Sequence, residues 1–293
     1  MNRPEVSLVM AAWQPRPDWL RAAVASALGQ VECDLELVVV DDGSSPSVAE
    51  LLRDVGDARL RTIAVEHAGV AHARNVGARE ALGTFVRYVD ADDVLEPGST
   101  ARLLSLSRGG AIAYGTTLVC DEELRPSRRI ECALMGDLTV PCLLGQFDVR
   151  LSWLFPRDLV DAVGGWDATF RVCEDWDFVL RALELAPARS DPALALYYRR
   201  HNASLTRTAG VEEAEIAARR VVRRYFDRHP ELSGTRLENR AYAAVDIDKA
   251  LGYAYARRRR RGLRRVSDAA LRDPLAVLRS APLLVGAFAR PHR

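Results

Sequence analysis

The chain has 293 residues, 48% of them apolar, with 41 Lys+Arg against 40 Asp+Glu. That length allows a buried core of one or two domains, and a net charge of +1 excludes a global field that would gather nucleic acid or an acidic substrate. The charge is unevenly placed. From Val211 onward there are 19 Lys+Arg and 10 Asp+Glu, leaving 22 against 30 upstream, so an acidic front and a basic tail suggest two territories. Five scattered cysteines (Cys33, Cys120, Cys132, Cys142 and Cys173) show no C-x-x-C spacing and read as reduced, core-filling thiols. The N-terminus lacks a charged-then-apolar leader pattern, and the apolar stretches Val6–Ala12 and Leu275–Ala289 are too short to span a bilayer, so a cytoplasmic protein is expected.

Taken in chain order, Val6-Ser7-Leu8-Val9-Met10 reads as a strand buried on both faces. Leu20, Val24 and Leu28, with Ala23 and Ala27 beside them, mark an amphipathic helix. Leu35–Val40 predicts a second strand, and Pro46 suits the first turn of another helix with Ser45 as its cap. Leu60–Val65 is a third strand, Ala71–Leu82 a helix closed by Gly83, and Thr84–Val89 a fourth strand. Further on come shorter strands over Ala111–Val119, Leu151–Phe155 and Ala193–Arg199, with a helix from Glu174 to about Leu185. Beyond Val211 the pattern is helical throughout. Strand–helix repetition with short turns means a mainly parallel sheet flanked by helices, here with a helical C-terminal extension. The expected division is residues 1–209 and 210–293, with a soft boundary near Ala209.

In such sheets ligands sit beyond the carboxyl ends of the strands. That rule selects Ala11–Gln14, Asp41–Ser45 and Asp90–Asp93. Asp90-Ala91-Asp92-Asp93 carries hard oxygens suited to Mg²⁺ or Mn²⁺ held with substrate phosphates, although aspartates serve equally as turn and cap residues. Glu174-Asp175-Trp176-Asp177 opens a helix, where the dipole alone favours carboxylates and where one of them could also accept a proton from a hydroxyl. His201 follows a strand, flanked by Arg200 and Arg207, whose charge would suit a leaving diphosphate.

In order, these clusters resemble the family 2 glycosyltransferases. The matching stretches are Val6–Met10 with Trp13, Glu36–Ser45, Gly69–Gly77, Tyr88–Asp93, Gly164-Gly165-Trp166-Asp167, Glu174–Asp177 and Tyr198–Ser204, over about the first 205 residues. The resemblance implies a GT-A fold, a Rossmann-like mixed sheet. It also implies inverting transfer of one sugar from a nucleoside-diphosphate-sugar, UDP or TDP by preference, to an acceptor hydroxyl in cell-envelope glycan or glycolipid synthesis. By that resemblance Trp13 stacks on the base and Ala11 offers it backbone contacts, while Asp42, with Asp41, reads the base edge. Arg74 approaches the donor, Asn75 holds a loop, and Asp90 touches the ribose or sugar. Asp92 and His201 bind Mn²⁺ or Mg²⁺, Asp175 is the base, and Glu174 and Trp176 lie near a glycan, lipid-linked or small-molecule acceptor. Acceptor pockets in this fold come from the middle segment, here about Gly110–Trp166.

Two departures bear on specificity. Ala11-Ala12-Trp13-Gln14 stands where the family usually has Pro-Thr-Tyr-Asn, and the Q-x-x-R-W motif of processive synthases is missing, which favours addition of one sugar at a time. Two other functions compete. A nucleotidylyltransferase needs a Gly-rich basic loop after the first strand, where only Arg16 lies near. A non-catalytic nucleotide- or glycan-binding scaffold has no need of Asp92, Asp175 and His201 together. The arginines at 257–261, 264 and 265 lie on a predicted helix followed by apolar Leu283–Phe288, which suggests either a solvated helix face or peripheral contact with anionic lipid. Aromatics do not interleave with these arginines, so nucleic acid is not the expected partner.

Overall fold

The computed structural model describes residues 3–147, 149 and 152–289. β1 (Val6–Ala12) is apolar at nearly every position because elements cover both faces of the sheet it begins. α1 (Pro17–Leu28) starts with a proline in its first turn, buries Trp19, Leu20, Ala23, Val24 and Ala27, and stops at Gly29. β2 (Leu35–Asp41) is wholly buried. The next helix, α2 (Val48–Leu51), does not use Ser45 as its cap. Ser47 Oγ accepts the Glu50 N–H while the Glu50 carboxylate accepts the Ser47 N–H, so a Ser-x-x-Glu box starts it two residues later than expected.

β3 (Leu60–Ala64) leads to α3 (Val70–Glu80), which ends at Ala81 rather than at Gly83. Gly83 has a different task. Its N–H donates to Ser7 Oγ, and a Cβ there would stand 2.5 Å from the Ser7 backbone nitrogen, so only glycine lets this loop lie on β1. Buried Glu36 completes that junction by accepting from Ser7 Oγ and the Leu82 N–H and by pairing with Arg61. β4 (Phe85–Asp90) then returns to the other side of β1.

The rest of this part is β5 (Val94–Leu95), α4 (Ser99–Ser107), β6 (Ile112–Cys120), β7 (Pro126–Ile130), α5 (Thr139–Leu143), β8 (Trp153–Pro156), α6 (Arg157–Val163), α7 (Glu174–Leu183) and β9 (Ala188–Arg199). Leu151, the first residue of the strand expected there, lies outside the described residues. β9 begins five residues earlier than the apolar pattern implies, because Ala188–Asp191 pairs along β6 despite its polar side chains.

Among the described residues the strand order is β3-β2-β1-β4-β8-β6-β9-β5, with β7 on β6. The first four are parallel, β8 runs antiparallel to both β4 and β6, and β9 is parallel to β6. The fold is therefore mixed α/β with a parallel half that changes direction at β1. Arg87, fully buried in β4, donates to Ser99 Oγ, Thr100 Oγ1 and the Ala195 carbonyl, which ties the parallel half to α4 and β9. Burial pushes its pKa down to about 9, and it is met by these neutral acceptors.

The chain divides into two compact units. The first is Met1–Thr139 with Phe147–Asn202, and the second is Val140–Gln146 with Ala203–Arg293. The second is built from α8 (Leu205–Arg228, kinked at Gly210), a 3-10 turn at Pro230–Leu232, α9 (Arg236–Tyr255), α10 (Arg259–Arg272) and α11 (Pro274–Ala289). Inside it, buried Asp246 and Glu215 are met by Arg219 and Arg265. Of the five cysteines, Cys120, Cys132 and Cys142 are buried, and Cys33 and Cys173 half-buried.

Candidate active site

Strand register brings the three carboxyl-end clusters together. Ala12 stands opposite Asp41 on β2, and Ala11 stands opposite Asp90 on β4, at the position where the sheet changes direction.

Beyond β2, the aspartates are spent on backbone. Asp41 accepts the N–H groups of Ser44 and Val48, each at 2.8 Å, and so closes the turn and holds the start of α2. Asp42 accepts from Ala68 and Gly69, both at 2.9 Å, and its Oδ2 also meets His67 Nδ1 at 2.8 Å. Both carboxylates are buried and each of their oxygens already accepts from a loop, so the expected reading of a base edge would use the lone pairs that remain. His67, which sequence reasoning leaves without a role, is clamped by Asp42 and stacks under Trp13 with ring centroids 4.6 Å apart. Trp13 remains 57% exposed, so a flat platform faces outward beside the end of β1.

Beyond β4, the carboxylates of Asp90, Asp92 and Asp93 have oxygens within 4.8 Å of one another. Burial, followed by repulsion from Asp92 and Asp90, lifts Asp93 well above the usual carboxylate range. Burial likewise raises Asp90, against the pull of Arg74. Asp93 Oδ1 accepts the Arg199 N–H, whereas its Oδ2 is buried without a hydrogen-bond partner. The Asp92 carboxylate meets His201 Nε2 at 2.7 Å, and His201 Nδ1 is also buried without a partner. His201 stands edge-on to Trp19 at 4.8 Å, and Trp19 is itself flanked by the guanidiniums of Arg16 at 4.0 Å and Arg199 at 4.9 Å. Neither Trp19 nor Arg199 was singled out from sequence, because a Trp on a helix face and an Arg ending a strand carry no motif. Arg200 is exposed, with its N–H on the Cys120 carbonyl, and Arg207 belongs to the second unit.

Clustered hard oxygens, an orphaned buried Asp93 oxygen and an imidazole on the Asp92 carboxylate form a donor set that fits a divalent cation. Asp90, Asp92, Asp93 and His201 are the residues that would hold it.

Arg74 joins this cluster to the fourth one. It is buried, with one nitrogen on Asp90 at 2.8 Å, another on Glu174 at 3.1 Å, and its guanidinium 4.4 Å from the Trp166 ring. Burial opposes its charge, yet Asp90 and Glu174 hold it more firmly protonated than a free arginine. Glu174, at the start of α7, is pushed up to about 7 by burial and by the adjacent Asp175 charge. Asp175 is half-buried, accepts the Trp176 N–H at 2.8 Å, and follows Glu174 in the first turn of α7. Trp176 is half-buried beside it, while Asp177 points away to pair with Arg181.

The Gly164–Asp167 stretch earns its place through Asn75. The Asn75 amide donates to the Trp166 carbonyl at 2.7 Å and accepts the Trp166 N–H at 2.8 Å. Gly165 has φ +76°, and a Cβ there would stand 2.6 Å from Asn75 Oδ1. Gly165→Ala is therefore expected to lower stability by about 1–3 kcal/mol. A denaturant midpoint equal to that of the wild type would show that this loop is not held as described.

A direction-changing parallel sheet with an aromatic platform on one side of the switch and an acidic cluster on the other, in this strand order, defines a GT-A-type α/β fold. Residues 7–171, more than half of the chain, match the family model for glycosyl transferase family 2, so the chain belongs to that glycosyltransferase family. It is similar to the succinoglycan biosynthesis protein ExoO of Rhizobium meliloti (strain 1021), 28% identical over 233 residues that make up 73% of this chain and 67% of that protein. It is also 29% identical over 239 residues to the O-antigen biosynthesis protein RfbC of Myxococcus xanthus, covering 78% of this chain but only 18% of that much longer protein. Among solved structures it resembles S. aureus TarS 1–349 with a TM-score of 0.65 at 14% identity, covering 97% of this chain and 87% of that one, a likeness of fold alone. The same TarS segment has been solved in complex with UDP-GlcNAc, and there the TM-score is 0.62.

Proposed function

We propose that the protein is an inverting, metal-dependent glycosyltransferase that moves one sugar from a UDP- or TDP-sugar to an acceptor hydroxyl in cell-envelope glycan or glycolipid synthesis. The observation that carries this reading is the single edge that joins Asp92–His201, Asp90–Arg74–Glu174 and Asp175. Residues 1–209 are assigned donor binding and catalysis, and the basic helical region 210–293 a supporting role. The enzyme is proposed to work in the cytoplasm, at the inner face of the membrane.

Trp13 offers its exposed face to the nucleotide base, with His67 and Asp42 bracing it from below and Ala11 at the adjoining strand end. Asp41 supports the turn behind that platform. Asp90, Asp92, Asp93 and His201 hold Mn²⁺ or Mg²⁺, and when bound the cation supplies charge neutralisation for the diphosphate of the donor. Asp175 accepts the proton of the acceptor hydroxyl as its oxygen bonds to the anomeric carbon. The bond from that carbon to the diphosphate oxygen breaks with its electron pair leaving on the nucleotide, so the configuration inverts. Glu174 and Trp176 border the acceptor, and Arg74 orients Asp90 and Glu174.

Replacing Trp13 with Ala removes the platform and is expected to weaken nucleoside-diphosphate binding by about 1–3 kcal/mol, or roughly 5- to 150-fold. Unchanged affinity by titration calorimetry would place the base elsewhere. The reaction itself is tested by incubating purified protein with Mn²⁺, UDP-sugars and a membrane extract, then reading the anomeric configuration of the product by NMR. An α-linked donor should give a β-linked product, and retention of configuration would rule out single displacement.

A further inference from the structure

The last two helices carry apolar side chains on the side that faces solvent. On α11 the buried side is Leu284 and Ala287, with Phe288 packed where Gly262 of α10 leaves room for it; a Cβ on Gly262 would stand 2.7 Å from the Phe288 ring. Away from that side α11 shows Leu275, Leu278 and Val285, the last two 68% and 65% exposed, with Leu283 exposed on the flank. A helix apolar on both sides, packed on one only, has an unpartnered face. α10 adds to it. Leu271 is 87% exposed, and Leu263 is exposed beside Arg260 and Arg264, one helical turn apart.

The charges near these residues are of one sign. The carboxylates in this stretch, Asp268 and Asp273, are turned to Arg265 and Arg240 within the unit. The exposed charges left along the two helices are arginines, among them Arg260, Arg264 and Arg279. Exposed leucines on two helices whose exposed charges are guanidiniums complement a surface that is apolar underneath and anionic at its rim.

We infer that the α10–α11 hairpin is an interfacial docking element for anionic phospholipid bilayers, with Leu271, Leu278 and Val285 entering the headgroup–acyl boundary and Arg260, Arg264 and Arg279 meeting lipid phosphates. The 16 residues of α11 extend about 24 Å, which suits a helix lying along the surface. Among the described residues no helix is long and apolar enough to cross a membrane. A second copy of this chain fits the face less well, because a two-fold pairing would set these arginines against their own kind. A nucleic acid would have no use for the leucines, and the face presents no aromatic ring for stacking. The inference does not depend on the catalytic reading.

The test is flotation of the full chain with vesicles of phosphatidylcholine alone and of phosphatidylcholine mixed with phosphatidylglycerol. Binding is expected only to the anionic vesicles, and to fall with added salt. Arg260→Gln with Arg264→Gln should weaken partitioning roughly 30-fold, and Leu278→Glu with Val285→Glu by at least about tenfold. These residues are exposed, so each variant should melt with the wild type, which separates loss of docking from loss of fold. Failure of the wild type to float, or equal flotation of the variants, overturns the inference. So does a full chain that sediments as a dimer which Leu278→Glu dissociates without changing vesicle binding. Transfer to a soluble acceptor analogue is expected to survive both variants, so a catalytically dead but vesicle-binding protein would count against the proposed reaction alone.

Discussion

Asp175→Asn is expected to lower kcat by about 10²- to 10⁴-fold, the usual contribution of a positioned general base, while leaving donor affinity within about twofold. The substitution keeps the shape of the side chain and the oxygen that accepts the Trp176 N–H at 2.8 Å, so the start of α7 should hold. What it removes is the ability to take a proton. Steady-state kinetics beside titration calorimetry with UDP reads both quantities. A variant with wild-type kcat would transfer the role of base to another group, and Glu174 is the neighbour to examine. Glu174 is the poorer candidate on geometry because its carboxylate is already engaged by Arg74 at 3.1 Å.

The second large effect is on stability. Arg74→Met is expected to cost about 3–5 kcal/mol at neutral pH, because it leaves half-buried Asp90 and buried Glu174 without their cation. The sign of the pH dependence follows from Glu174. Its folded pKa is raised from the usual 4.5 to about 7, so the folded state binds more protons than the unfolded one between those values. Stability from this group is therefore present below the unfolded value and lost as pH rises toward 7. Without Arg74 that loss should grow, so the gap between wild type and Arg74→Met is expected to be small near pH 5 and wide near pH 8. Urea melts at the two pH values measure it. A gap that is equal at both, or larger in acid, would mean that Arg74 does not carry the charge balance of this site.

Much of the parallel half was legible because β1 and β2 are buried on both faces and therefore read as the continuous apolar runs Val6–Met10 and Leu35–Val40. The rule that ligands gather beyond carboxyl ends then selected the edge that register assembles at Ala11, Asp41 and Asp90. Short elements were not legible. β5 is two residues long, and β7 is Pro-Ser-Arg-Arg-Ile, an exposed strand with no hydrophobic alternation to betray it. The cap of α2 is visible as Ser47 and Glu50 three apart, whereas Pro46 marks a start at Ser45 that the helix does not use. Gly83 looked like a helix stop because a sequence records that glycine is present and not which strand its missing Cβ must avoid. The same limit applies to Asp41 and Asp42. Their place at the strand end was visible, but the backbone N–H groups that use their lone pairs come from residues up to 27 positions away. Asp93 lies in the Asp90–Asp93 cluster, and its role rests on a buried, partnerless oxygen that no sequence pattern displays.

The most direct test of the central claim is the melting temperature of the purified protein with UDP, TDP and other nucleoside diphosphates, each with Mn²⁺ and with chelator. A ligand at about 100 times its Kd adds about 2.7 kcal/mol, which is readily seen. The predicted result is a rise with UDP or TDP that needs the metal, and that disappears in Asp92→Ala while persisting in Asp175→Asn. A rise that is the same in chelator, or no rise with any nucleotide, would contradict a metal-dependent nucleotide-sugar site at this edge of the sheet.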